Sequence, residues 1–336
     1  MILSIESSCD DSSLALTSIK DCKLLFHQKI SQDDAHSAYG GIVPELASRL
    51  HAQKLPLILE NLKNFLHGDF SPIKAIAVTT EPGLSVTLIE GLMMAKTLAI
   101  SLHIPLLSIN HLKGHIYSLF INQKKSIFPL SVLLVSGGHT MILEATKEEI
   151  CIVAQSKDDS FGESFDKTAK MLGFGYPGGP IIQDLAQQCL KELYHLPIPL
   201  QHSKELAFSF SGLKNAVRLE IEKQGENLDA NALAYAFQKS ACEHIVQKCK
   251  LYFQFKHDKG EGIRHFAIVG GASANLHLRE KLQALCKKFN TSLLLSPLEF
   301  CSDNAAMIGR VGIEEYKKEN FSDLYNLEIS PRNTQF

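Results

Sequence analysis

Apolar positions along the chain fall into two rhythms, one alternating like a strand and one spaced like a helix, and their order sets out the elements. Three strand-like runs come first: ILSIES (2–7), SSLALTSI (12–19) and KLLFHQKI (23–30), joined through the short polar turns SCDD and KD. Helical spacing starts at Pro44 in PELASRLHAQKLPLILENLKNFL, with a kink or restart expected at Pro56 because proline lacks the N–H that a helix interior uses. A buried-strand run AIAVTT (75–80), a helix over SVTLIEGLMMAKTLAISL (85–102) and the strand PLLSI (105–109) complete a β-β-β-α-β-α-β series.

The series then starts again. LSVLLVS (130–136) turns through Gly-Gly-His into TMILEAT (140–146) and on to ICIVAQS (150–156). Later come a helix around ALAYAFQKSACEHIVQKCKLYF, the strand HFAIVG (265–270), a helix over SANLHLREKLQALCKKF and the strand SLLLS (292–296). The second copy carries a helical insertion at about 157–228. The predicted fold is therefore α/β, a duplicated β-β-β-α-β-α-β module as in the actin, hexokinase and Hsp70 superfamily (ASKHA). Its two lobes are expected to enclose a cleft, with nucleotide-facing turns in each half. The expected boundaries are 1–110 for an N-terminal lobe and 111–302 for a C-terminal lobe, with a final helix at 303–320 packing back on the first.

Composition narrows the class without changing the fold. With 336 residues, 45% of them hydrophobic, and a net charge of −2, the chain is long enough for two cores and too apolar for disorder. A basic excess of the kind that marks many nucleic-acid binders is missing, which leaves nucleic acid open but unadvertised. Eight scattered cysteines without a C-x-x-C pair argue against a thiolate metal site or a disulfide framework. Met1 leads straight into a strand-like run, and no apolar run is expected to span a membrane. The expectation is a cytoplasmic chain with no membrane contact.

The chemistry gathers in a few motifs. HLKGH places His111 and His115 four apart on one helical face, the spacing at which two imidazoles hold one metal, with Asn110 as the expected helix cap. A zinc protease would put its general base at position 112, which here is leucine. A third ligand is needed, and Asp303, in CSDNAAMIG before the last helix, is a candidate beside its ordinary role as a helix cap. Such a two-His, one-carboxylate set accepts iron as well as zinc. Glycines in VSGGHT (Gly137, Gly138), YPGGP (Gly178, Gly179) and IVGGASAN (Gly270, Gly271) leave backbone N–H groups open to an anionic ligand, although each also serves an ordinary turn. Asp166, on a helical segment, pairs with a surface lysine or hydrogen-bonds a ribose hydroxyl.

Taken in order, IESSCDDSSLAL, YGGIVPELASR, HLKGH, LLVSGGHT, ESFDKTAKMLGFGYPGGP, FSFSGLKNAV, GGASANLHLR and CSDNAAMIG closely resemble the TsaD/YgjD family of tRNA adenosine threonylcarbamoyltransferases over nearly the whole length. The resemblance implies an actin-like fold and one divalent ion, Fe2+ or Zn2+, on His111, His115 and Asp303. It implies substrate contacts at Leu134, Val135, Ser136, Gly137, Gly138, Asp166, Gly179 and Asn275. The implied reaction moves a threonylcarbamoyl group from threonylcarbamoyl-AMP to N6 of adenosine 37 in tRNAs that read codons beginning with A, releasing AMP. The implied partners are a TsaB-like paralogue, a TsaE-like ATPase and a TsaC-type enzyme that supplies the adenylate. Three positions depart from the family pattern: Glu81 in EPGL where a glycine is usual, Lys113 where many relatives carry glutamate, expected to face solvent, and Gln183 where many carry aspartate.

Within that reaction a carboxylate of the first turn, Asp10 with Asp11 and Glu6 as rivals, accepts the N6 proton, and His139 contacts the acyl group or buttresses its turn. A small-molecule kinase or ATPase of the same superfamily would explain the glycine turns but not the histidine pair. A non-catalytic scaffold would lack the metal ligands, and a metalloprotease fails at Leu112.

Overall fold

The computed structural model describes all residues from Met1 to Phe336. Its elements follow the two rhythms closely. The first copy of the module comprises β1 (Ile2–Glu6), β2 (Ser12–Thr17), β3 (Leu24–Ile30), a short α1 (Asp33–Ser37), α2 (Pro44–Phe65), β4 (Ala75–Glu81), α3 (Ser85–Leu102) and β5 (Leu106–Asn110), with α4 (His111–Tyr117) directly behind it. The second comprises β6 (Leu130–Val135), β7 (Thr140–Ala145), β8 (Ile150–Gln155), the inserted helices α5 (Phe161–Met171), α6 (Gly178–Gln187) and α7 (Ser211–Gln224), then α8 (Ala230–Asp258), β9 (His265–Val269), α9 (Leu276–Lys288) and β10 (Ser292–Leu295). A last helix, α10, covers Ala305–Lys317.

The duplication is plain in the sheets. One has the order β3-β2-β1-β4-β5 and the other, read from its far edge, β8-β7-β6-β9-β10. In each, the hairpin strands pair antiparallel, while the first strand pairs in parallel with the strand that follows the long helix. Central strands are buried on both faces, which is why β1, β2 and β6 read as continuous apolar or small-residue runs.

Contacts divide the chain into two compact units. Unit 1 holds 1–36, 42–126 and 303–336, and unit 2 holds 37–41 and 127–302. The sequence reading had put a boundary at 110. In the structure α4 and residues through Ser126 belong with the first sheet, because α4 packs on α10, which itself lies on β1, β2, β4 and β5. Each unit has its own apolar core: Leu3, Ile5, Leu14, Val78 and Leu92 in unit 1, Leu133, Phe165, Phe208, Phe237 and Phe266 in unit 2.

One expectation is narrowed and another corrected. α2 runs unbroken from Pro44 to Phe65 with Pro56 inside it, so of the kink or restart expected there the restart is excluded. α3 is long and apolar enough, by length and composition, to cross a membrane, where no such run was expected. It carries Glu90 and Lys96, and its Leu92, Ala95 and Ala99 are buried in the core of unit 1, while Val86, Ile89, Met93 and Ile100 are exposed. All eight cysteines are free, five of them buried, as their scatter suggested.

Candidate functional site

The histidine pair sits where a strand hands over to a helix. β5 ends at Asn110, whose side chain accepts hydrogen bonds from the Leu112 and Lys113 N–H groups at 2.9 and 3.2 Å and so starts α4 at His111. One turn separates His111 from His115, and their rings meet edge to face with centroids 4.6 Å apart. Leu112 is fully buried, so the position that would carry a hydrolytic base is part of the core.

Asp303 completes the cluster from the far end of the sequence. Capping of α10 falls to Asn304, which accepts from the Met307 N–H at 2.9 Å, and this leaves the Asp303 carboxylate for the histidines. Asp303 Oδ1 lies 3.4 Å from His111 Nε2 and 3.2 Å from His115 Nε2, and its side chain keeps 22% exposure. Donor atoms bound to an ion at about 2.0–2.2 Å stand roughly 3.0–3.5 Å apart, so these spacings suit one shared ion.

A second observation points the same way. Nδ1 of His115 is buried without a hydrogen bond and Nε2 has no neighbour of that kind except the Asp303 carboxylate, although unpaired polar atoms in a protein interior are rare. Burial lowers the His115 pKa and favours the neutral imidazole that a metal needs. Burial also opposes charge on His111, but the carboxylates of Asp303 and Glu6 outweigh it and raise that pKa well above the ordinary value. The three residues are the one group of metal-type donors in the structure, with ligand atoms within 4.8 Å of one another.

The acidic turn lies against this cluster. Glu6 is fully buried at the end of β1, and Asp10 and Asp11 keep only 8% and 9% exposure. Asp11 Oδ2 accepts from Lys29 Nζ at 2.8 Å. Burial drives the Asp11 carboxyl up, against the pull of Lys29, to about 7. Lys113, expected to face solvent, instead pairs with Glu315 on α10 at 2.6 Å. Glu81 accepts from Asn333 Nδ2 at 2.7 Å, and the Gly83 N–H donates to the Pro331 carbonyl at 3.0 Å. The departure from the usual glycine thus ties the EPGL loop to the C-terminal residues.

Unit 2 gathers the glycine turns. A cavity of about 140 Å3 is lined by Phe161, Gly162, Phe165, Gly179, Gln183, Gly271 and Asn275, among others. The start of α6 (Gly179, Pro180) and the cap of α9 (Asn275) both line it. The Gly178, Leu276 and Leu278 N–H groups are already bonded to Asp166, Gln183 and Asn275, which leaves the Gly179 N–H on the cavity wall for a ligand. Glycine is required on one wall and behind the others. A Cβ on Gly162 would stand 2.5 Å from the Ser136 carbonyl, one on Gly178 would stand 2.6 Å from Asp166 Cα and from the Phe165 carbonyl, and Gly270, at φ +93°, would drive a Cβ into the Val135 backbone.

The other sequence-derived positions take definite places. Asp166 Oδ1 accepts from the Gly178 N–H at 2.7 Å and holds α6 against α5. Asn275 caps α9 through Oδ1, 2.9 Å from the Leu278 N–H, and donates to Gln238 Oε1 at 2.8 Å. Leu134 and Val135 are fully buried in β6, Ser136 is spent on the His139 N–H at 3.0 Å, and Gly137 and Gly138 alone expose their backbone in that run. His139 follows them, partly exposed.

Sequence reasoning missed two residues here. Ser160 donates to the Gly137 carbonyl at 2.5 Å and caps α5, and the S-x-x-E spacing to Glu163 is the signal that would have found it. Gln183 accepts from the Leu276 N–H at 2.8 Å, a contact between distant segments that no local pattern announces.

Two copies of one sheet topology, a glycine-walled cavity and a three-donor cluster define an actin-like α/β protein equipped for a divalent ion. Comparison with known proteins carries this further. Residues 23–310 match the family model for TsaD, tRNA N6-adenosine threonylcarbamoyltransferase. The chain is 61% identical over 338 residues to the tRNA N6-adenosine threonylcarbamoyltransferase of Helicobacter pylori (strain J99 / ATCC 700824), covering 99% of this chain and 98% of that one. It is 57% identical over 336 residues to the protein of the same name from Wolinella succinogenes, with the same coverage. Among solved structures, the activator of the 2-hydroxyisocaproyl-CoA dehydratase from Clostridium difficile, with bound ADPNP, matches 95% of each chain at a TM-score of 0.52 and 15% identity, a likeness of fold alone. The chain belongs to the TsaD family of tRNA N6-adenosine threonylcarbamoyltransferases.

Proposed function

We propose that this chain transfers a threonylcarbamoyl group from threonylcarbamoyl-AMP to N6 of adenosine 37 in tRNAs reading codons that begin with A, and releases AMP. The observation that carries the chemistry is the His111–His115–Asp303 cluster, three converging donors beside a position 112 that is buried leucine. A hydrolase would need a base there to activate water. A transferase does not, because its nucleophile arrives on the tRNA.

His111, His115 and Asp303 would hold Fe2+ or Zn2+, which when bound supplies a Lewis acid for the carbamoyl oxygens. The cavity of unit 2 would take the adenine nucleotide, with the Gly179 N–H at the start of α6 and the open Gly137–Gly138 backbone meeting phosphate and ribose. The N6 amine is a weak nucleophile, since its lone pair is delocalised into the ring, so a proton acceptor is needed as the new bond forms. The sequence favoured Asp10. Asp11, lifted to about 7, has the basicity that a base working near neutrality requires, and we assign it that role. Glu6, fully buried, is withdrawn from the substrate. His139 borders the glycine turn and would meet the acyl group. A TsaB-like paralogue, a TsaE-like ATPase and a TsaC-type source of adenylate are the implied partners, and the tRNA substrate implies the cytoplasm.

The test is mass spectrometry of nucleosides from unmodified tRNA incubated with the chain, its partners, a TsaC-type enzyme, threonine, bicarbonate and ATP. Threonylcarbamoyl-adenosine should form with the wild-type chain and fail to form with Asp303→Ala. Its formation by a metal-free Asp303→Ala protein would refute the assignment of the cluster.

A further inference from the structure

Glu6 is a buried carboxylate that the proposed transfer leaves without a task. It closes β1 with no exposure, and a carboxylate in that setting is costly unless its lone pairs are filled. They are filled from three directions. Oε1 accepts from the Ser8 N–H at 2.7 Å, and Oε2 accepts from the Thr79 hydroxyl at 2.5 Å. The third partner is His111, whose Nδ1 stands 3.2 Å from Oε2 and 3.1 Å from Ser8 Oγ.

The two nitrogens of His111 therefore face different groups: Nδ1 meets Glu6, and Nε2 meets Asp303 Oδ1 at 3.4 Å. Because a carboxylate only accepts, Nδ1 donates to Glu6, and an ion shared with His115 and Asp303 would take the place of the proton at Nε2. We propose that Glu6 is a positioning residue that fixes the Nδ1–H form of His111, with Thr79 and the Ser8 N–H holding the carboxylate in place. Nε2 is thereby committed to the face shared with His115 and Asp303. The inference rests on the metal reading given above, and it also explains why a charge is kept at the end of a central strand.

The geometry makes glutamine the informative replacement. In Glu6→Gln the amide oxygen must stay with the Ser8 N–H, a backbone donor that cannot turn away. The amide NH2 then points at the Thr79 hydroxyl, which can rotate to accept, and at His111 Nδ1, which has to accept as well. The ring proton moves to Nε2, the atom that would bind the ion.

Two measurements test this. Zn2+ affinity by competition titration should fall roughly 10- to 100-fold in Glu6→Gln, with circular dichroism unchanged. Proton–nitrogen NMR at saturating Zn2+ should show a hydrogen-bonded Nδ1–H signal for His111 in the wild type and none in Glu6→Gln. Should Glu6→Gln fail to fold, Thr79→Val, which removes the hydroxyl, should weaken Zn2+ binding, and Thr79→Ser should retain it. Wild-type affinity together with a retained Nδ1–H signal in Glu6→Gln would overturn the proposal. A wild-type chain that binds no Zn2+ would overturn the metal reading and this inference with it, whereas Zn2+ binding that Glu6→Gln leaves unchanged would overturn this inference alone.

Discussion

Gly178 and Gly179 are neighbours with opposite prospects, and replacing each by alanine separates what holds the unit 2 cavity together from what keeps it open. At Gly178 the new Cβ would lie 2.6 Å from Asp166 Cα and the Phe165 carbonyl and 2.9 Å from Ala169 Cβ. Two of these are backbone atoms of α5 and cannot swing aside, so α6 must move off α5 and stretch the Gly178–Asp166 hydrogen bond. Overpacking of this kind costs about 1–3 kcal/mol, which in a unit of this size lowers the melting temperature by roughly 2–12 °C. At Gly179 a Cβ meets nothing within 4 Å. Alanine in the first turn of α6 should leave stability equal or up to about 1 kcal/mol higher, by helix propensity. Gly179 lines the cavity, however, and the added methyl would intrude on the space assigned to the nucleotide. Melting curves and AMP titrations of both variants form the assay. Gly178→Ala should melt early. Gly179→Ala should melt normally and bind AMP at least about tenfold more weakly, a loss of about 1.4 kcal/mol. A Gly178→Ala protein that melts with the wild type would refute the packing argument, and undiminished AMP affinity in Gly179→Ala would refute the placement of the nucleotide.

Asp11→Asn should remove the rise in transfer rate that the wild type shows as pH climbs through about 7, and lower the rate by roughly 100-fold, read from initial rates across pH. Lys113→Ala should destabilise unit 1 by about 1–2 kcal/mol, because Glu315, only 8% exposed at its side chain, loses its counter-charge. Burial pushes the Glu315 carboxyl up, but Lys113 and Asn320 outweigh it and hold its pKa low. The wild-type advantage is therefore complete above the ordinary glutamate value and disappears as pH falls through the lower folded value, so the two melting curves should converge in acid. Glu81→Gly removes the acceptor for Asn333, and carboxypeptidase should trim the C-terminal residues faster while Zn2+ affinity is unchanged.

The sequence announced what local chemistry determines and concealed what distant segments determine. The hairpins and crossover helices of both sheets were legible because their apolar periods are local, and Asn110 could be named as a cap because capping acts over three residues. Asp303 was legible only as a candidate: its capping alternative was equally good until the structure gave that task to Asn304. The pairs Glu6–Thr79, Lys113–Glu315 and Glu81–Asn333 join residues that no periodicity relates. At Pro56 the alternative of a restart fell because α2 can do without one hydrogen bond there, a tolerance that a periodic pattern cannot show.

Unit 1 is written in three pieces, the last of which begins at Asp303. On the ribosome, β1 to β5 and the two histidines emerge first, and the whole of 127–302 must then be translated, which takes about 10–35 s at roughly 5–20 residues per second. Throughout that interval the face of the first sheet that α10 will cover is bare, and Ser4 and Ser13 wait for the Ala305 backbone they will hold. A nascent or truncated chain thus has the imidazoles without the carboxylate, and the donor set proposed for the ion stays incomplete until Asp303 is made. The proposed donor set can close only once all but the last 33 residues have been translated, and a message cut short before codon 303 would leave the sheet face bare and the two histidines without their carboxylate.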